Sequence, residues 1–165
     1  MKKTVTALSR GMLATALAAG GLLVSGSPTA AETAARKGCS AQQHKEFATS
    51  GYNTDVYLTL CVARRGGGVI ASADGYYIDG GGKRKFDNFD IQIRLERNNK
   101  DLTVSLCDIT AEINRAEDGP IQCQTKFFAT GNEKGLTADG KVNYDLDADG
   151  KGGYTWALTG SSPLQ

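Results

Sequence analysis

Apolar and polar residues alternate with period two along much of the chain. In Phe86–Arg97, Phe89, Ile91, Ile93 and Leu95 alternate with Asp90, Gln92, Arg94 and Glu96. This is the pattern of a strand with one buried and one wet face. Asn98-Asn99-Lys100-Asp101 follows as a turn, since Asn and Asp accept left-handed backbone and hydrogen-bond to their own chain. Leu102, Val104 and Leu106 then resume the alternation. At Cys107–Asp108 the parity flips, and Ile109, Ala111 and Ile113 continue on odd positions. A β-bulge and a strand break both fit that flip. The stretch Phe86–Asn114 is thus a long hairpin with one apolar face, and it needs a second layer to cover it.

The rest of the chain supplies candidates for that layer. In Asp55–Ala63, Val56, Leu58, Leu60 and Val62 alternate with Tyr57, Thr59, Cys61 and Ala63. Val69–Asp79 is a second strand, weakened by Gly75. Ile121–Phe128 places Ile121, Cys123, Thr125 and Phe127 on one side. Lys141–Asp147 and Gly153–Leu158 alternate across the connection Ala148–Gly152. Ala41–Phe47 reads as a short helix, Arg115–Pro120 as a turn and Thr130–Gly140 as a loop. No long helical period occurs. The prediction is an all-β fold, a single antiparallel β-sandwich of seven to eight short strands, with an open barrel as the alternative.

The N-terminus changes the domain count. Lys2, Lys3 and Arg10 precede a short run of small apolar residues, Gly11–Val24, and a small-residue segment, Ser25–Ala31. This is the layout of a secretory leader, here residues 1–31 with cleavage after Ala31. Cleavage after Ala35 is a further option. No other segment approaches the ~18 apolar residues of a membrane span, so the mature form is expected to have no membrane segment. Residues 32–38 read as an N-terminal arm and 39–165 as the sandwich domain. Without the leader's three cations, the 19 basic residues become 16 against 18 acidic ones, a formal net charge of −2. That balance argues against nucleic acid as a partner.

All four cysteines, Cys39, Cys61, Cys107 and Cys123, fall after the leader. In an exported chain an even number reads as a disulfide framework. Pairing by nearness in sequence gives Cys39–Cys61 and Cys107–Cys123. A zinc site is disfavoured, because no C-x-x-C spacing occurs and His44 is the one histidine.

Several stretches invite a chemical reading. The arm Glu32-Thr33-Ala34-Ala35-Arg36-Lys37 is either a frayed end or a segment that docks into a partner, with Arg36 and Lys37 suited to a trypsin-like pocket or an acidic groove. Arg64–Gly68 and Gly80–Lys85 are basic glycine loops without phosphate-loop spacing; they are hairpin tips or binding tips. Asp145-x-Asp147-x-Asp149-Gly150 opens like a calcium loop, but position twelve is Trp156 rather than a carboxylate. Trp156, Tyr144, Tyr154, Tyr76 and Tyr77 would either anchor the core or stack on sugars. No nucleophile arrangement or metal-hydrolase motif is present, and neither catalysis nor a cofactor is expected.

The leader with its basic start and Ala-Gly core, the polar arm, the four-cysteine β domain and the ending Gly135–Gly160 (GLTADGKVNYDLDADGKGGYTWALTG) resemble small exported β-proteins of Streptomyces-type actinobacteria. Within that group the chain is most similar to the small adaptor subunit of umbrella toxin particles. The resemblance implies a non-catalytic, extracellular adaptor in an antibacterial complex. It implies two protein partners: a large repeat-bearing toxin subunit and a lectin-bearing subunit with an inactive trypsin-like domain. It also implies that Glu32–Lys37 enters the cleft of that domain. Two other readings compete. One is a secreted serine protease inhibitor presenting Arg36, Lys37, Arg64 or Arg65. The other is a small carbohydrate-binding module built on the aromatic set.

Overall fold

A computed structural model describes residues 37–79 and 84–165. The proposed leader and arm residues 32–36 lie outside the described residues, as does Gly80–Lys83. The described chain forms β1 (Lys37–Cys39), β2 (Gln43–Phe47), β3 (Thr54–Arg65), β4 (Gly68–Asp79), β5 (Phe86–Arg97), β6 (Lys100–Asp108), α1 (Thr110–Arg115), β7 (Asp118–Gln124), β8 (Phe128–Ala129), β9 (Leu136–Leu146) and β10 (Tyr154–Ala157). All strand pairings are antiparallel. One sheet runs β1-β3-β4-β7, with β2 also on β3 and β8 also on β4; the other runs β10-β9-β5-β6. The two sheets face each other as the predicted sandwich.

The alternating residues meet between the sheets. Val56, Leu58, Leu60 and Val62 of β3, and Ile91, Ile93 and Leu95 of β5, are fully buried. Val69, Ala71 and Ala73 of β4, Ile121 of β7, and Leu136, Ala138 and Val142 of β9 join them in one core. Each buried Val, Leu or Ile side chain contributes on the order of 1.5–3 kcal/mol. Both disulfides form as the spacing suggested. Cys39–Cys61 lies within the first sheet and Cys107–Cys123 ties β6 of one sheet to β7 of the other.

Tight turns follow the turn chemistry. Asn98 and Asn99 have φ of 52° and 58°, and Gly66 and Gly67 have 48° and 86°. Two successive positive φ angles match the twist of a two-residue hairpin.

Three local expectations are corrected. Residues 43–47 form β2, not a helix. Phe47 is the one strongly apolar residue there, and His44 and Lys45 find cross-strand partners in Tyr57 and Val56. The parity flip after Cys107 is a strand break, not a bulge. Ile113 N donates to Ile109 O at 3.0 Å, the i to i−4 bond of α1, and Ile113 is buried. The β5–β6 ladder does have an irregularity, but at Leu95/Glu96. Finally, strand β9 begins at Leu136, inside the expected loop.

Lys85 is not part of a hairpin tip. It is almost wholly buried, and its Nζ donates to Ile113 O at 2.7 Å and Ala116 O at 2.8 Å. The cation thus closes the carbonyl end of α1, where the helix dipole favours positive charge. Asn114 completes the joint: its side-chain oxygen accepts from Lys85 N and Phe86 N, and its Nδ2 donates to Phe86 O.

Candidate functional site

The outward residues of the first sheet form a row that no short sequence window contains. Antiparallel register sets His44 opposite Tyr57, Tyr57 opposite Tyr76, and Tyr76 opposite Pro120. The His44 and Tyr57 rings stack at 4.5 Å with planes 16° apart. Tyr57 and Tyr76 stack at 4.7 Å and 17°. The rings stand on the sheet like books on a shelf, so most of their faces are turned to each other and their edges to solvent.

Carboxylates surround the row. Asp55 Oδ1 lies 2.5 Å from His44 Nε2. The neighbouring row is Glu46, Asp55, Ile78 and Asp118, and on the other side Asp74 faces Gln122. Desolvation in the stack, then the charge of Asp55, then Tyr76 and Glu46, hold the Tyr57 phenol above its ordinary value.

At the β7 end the row opens into a groove. Tyr76, Tyr77, Ile78, Asp118, Gly119 and Pro120 line a hollow of about 500 Å³. It adjoins a second, about 270 Å³, reached past Tyr77 and Pro120 and lined by Asp108, Ile109, Glu112 and Gln122. Gly119 is required here, because a Cβ would come within 2.7 Å of the Tyr77 hydroxyl. Tyr77 itself is buried and donates to Glu112 O at 3.0 Å. Asp108 accepts from the Thr110 side chain and backbone, which hold its carboxyl below the ordinary range.

The second candidate feature is the root of the arm. Lys37, exposed, pairs with Ala63 at the far end of β3. The root is clamped three ways. Cys39 is bonded to Cys61 directly across the ladder. Ser162 N and Oγ both donate to Cys39 O, at 3.3 and 3.2 Å. Gly38 lies so close to the C-terminal tail that a Cβ would sit 2.3 Å from Ser162 O. Glu32–Arg36 lie outside the described residues.

The remaining sequence candidates are dispersed. Arg64 is held by the carbonyls of Gly131 and Glu133, so its guanidinium is occupied in the fold, while Arg65 is exposed. Asp147 pairs with Arg84 Nε at 2.8 Å, and Asp149 accepts from Lys151 N in its own turn. Among the described residues no three His, Cys, Asp or Glu side chains converge as a metal site. The aromatic set divides. Tyr76 lies on the outer row and Tyr77 points inward, while Tyr144, Tyr154 and Trp156 belong to the other sheet. Trp156 packs edge-on to Phe47 at 6.2 Å, and Tyr144 stacks with Tyr154 at 5.4 Å.

The sequence reading missed Tyr57, His44 and Asp118 as site residues. One signal was available. A hairpin centred on Gly66–Gly67 pairs residues whose numbers sum to 133, and this puts Tyr57 opposite Tyr76. No family model, curated protein or solved structure matches the chain.

Proposed function

We propose that the chain is a secreted, non-catalytic adaptor that joins two protein partners, the small linking subunit of an extracellular antibacterial toxin particle of the kind its sequence resembles. One partner takes the arm Glu32–Lys37 into a trypsin-like cleft; the other, the large repeat-bearing subunit, meets the outer face of the first sheet. The observation that carries this reading is the separation of two distinct surfaces on one rigid strand. The arm root sits opposite Ala63 and the aromatic row begins at Tyr57. Six residues of extended strand put them about 20 Å apart. Two disulfides and the absence of a membrane-length apolar helix among the described residues fit an exported chain.

The inhibitor reading has less support, since Arg64 is tied down. The sugar-binding reading has less as well, because the aromatic set proposed for it is divided between the two sheets and Tyr77 is buried. The test is reconstitution with a lectin-bearing subunit and a repeat-bearing subunit from the producing organism, read by size-exclusion chromatography with light scattering. The full mature chain is expected to give a ternary complex. A chain starting at Gly38 is expected to lose the lectin-bearing subunit alone. Failure of the full chain to hold either subunit would end the adaptor reading.

A further inference from the structure

We propose that the groove between Tyr76 and Asp118–Pro120 is the specificity point of the outer face, taking an arginine or lysine side chain of the protein that docks there. This deepens the adaptor reading and rests on it for the identity of the second surface.

Tyr76 has Tyr57 against one ring face. Its other side looks across to β7, where Pro120 is its register partner and the groove opens. A planar or compact cation inserted there would meet an aromatic face, as in cation–π recognition. The hollow is also apolar enough to take the methylene stem, through Ile78 and Pro120, as long basic side chains require.

Charge then selects the occupant. The titratable groups around the groove are Asp118 on β7, Asp74 on β4, Asp108 at the end of β6 and Glu112 on α1, with the Tyr76 and Tyr77 phenols. Among the described residues, no lysine or arginine lines either hollow. The basic side chain of α1 is Arg115, in its last turn. An acidic peptide would be repelled, and a neutral sugar would leave the carboxylates without a charged partner. Arginine suits the site better than lysine, because its planar fork both stacks and pairs with a carboxylate.

The test uses fluorescein-labelled glycine–serine peptides carrying one arginine, or citrulline at the same position, and fluorescence polarisation with the full mature chain. The arginine peptide is expected to bind, and to weaken by at least fivefold when salt rises from about 50 to about 300 mM. Tyr76→Ser and Asp118→Asn are each expected to weaken it by at least fivefold. Asp145→Asn, on the other sheet, serves as the charge-matched control. Unchanged thermal melting of the variants separates lost binding from lost fold. Equal binding of the citrulline peptide, no binding, or indifference to both groove substitutions would overturn the proposal. So would binding of a neutral oligosaccharide that Tyr76→Ser abolishes while the arginine peptide stays unbound. Should the ternary complex form while the peptide arm fails, this inference falls and the adaptor reading stands. Should the peptide bind while no complex forms, the reverse holds.

Discussion

Removing the disulfide between the sheets tests how the sandwich is held. The substitution is Cys107→Ala with Cys123→Ala. Cys123 is buried in the core, and Cys107 sits on the edge strand of the other sheet. The two are 16 residues apart, and loop-closure entropy for that span gives about 3.1 kcal/mol at 25 °C. The same formula gives about 3.4 kcal/mol for Cys39–Cys61, separated by 22 residues. The structure reverses this order. β1 is three residues long and lies at a sheet end, so without Cys39–Cys61 it frays locally, and the native state regains part of the entropy. β6 and β7 belong to different sheets and cannot separate without opening the core beside Ile91, whose carbonyl lies 3.6 Å from Cys123 Sγ. Loss of Cys107–Cys123 is therefore expected to cost about 3 kcal/mol, and loss of Cys39–Cys61 about 1–2 kcal/mol. Urea unfolding followed by Trp156 fluorescence measures both, since Trp156 is the single tryptophan and packs on Phe47. A shift of about 1–2 M in midpoint is expected for the first variant. A loss below about 1 kcal/mol, or a larger loss from the Cys39–Cys61 variant, would refute the reasoning.

Three further substitutions probe the face, the root and a buried charge. Glu96 is nearly buried beside Arg94; burial, then a hydrogen bond with Asp101, raise its carboxyl above the ordinary value, while Arg94 opposes. A raised carboxyl contributes stability that is present below the unfolded pKa of about 4.3 and is lost as pH rises through the folded value. Glu96→Gln is thus expected to be more stable than the parent at pH 7, the gap closing towards pH 4, as read by thermal melting. Gly75→Ala would place a Cβ 1.8 Å from Tyr57 O in the middle of the β3–β4 ladder. It is expected to cost about 3 kcal/mol or to prevent folding, measured by denaturant titration. Gly38→Ala pushes on Ser162 O. A milder loss of about 1–2 kcal/mol is expected, since the tail can shift, and the adaptor proposal adds weaker capture of the partner proposed to take the arm.

Most of the sandwich was legible because its inner face is written in alternation. Val56 to Val62, Phe89 to Leu95 and the Asn98–Asn99 turn each declare themselves within about ten residues. What failed was local sequence with an ambiguous period. Ile109 and Ile113 stand four apart, which also keeps strand parity, and one helical turn between strands is too short to show a period. Gln43–Phe47 is mostly polar, and its strand state comes from pairing with the start of β3, Thr54–Leu58, rather than from any period of its own. Lys85 read as a solvated loop cation because nothing nearby announces the carbonyls of Ile113 and Ala116. The aromatic row and its groove draw on β2, β3, β4 and β7. Their chemistry exists only once register sets His44, Tyr57, Tyr76 and Pro120 side by side.

Register would also make the proposed adaptor geometrically dependable. Slipping β3 by one residue would turn Val56, Leu58, Leu60 and Val62 to solvent. The buried side chains therefore fix which residues face outward and how far the row lies from the arm root. Gly75 adds to this, because only glycine fits against Tyr57 O at that point of the ladder. A linker of the same reach in flexible chain would leave two docked partners at variable spacing and would have to be ordered on binding. Here the spacing of about 20 Å between the arm root and the aromatic row is set by core packing. The two ends also differ in chemistry. The clamped root carries Lys37 with Arg65 at the end of β3, whereas the opposite end gathers Glu46, Asp55 and Asp118. Under the proposed adaptor role, a partner whose acidic surface suits the root would be repelled by the carboxylate end, which would keep the two sites from competing for the same protein.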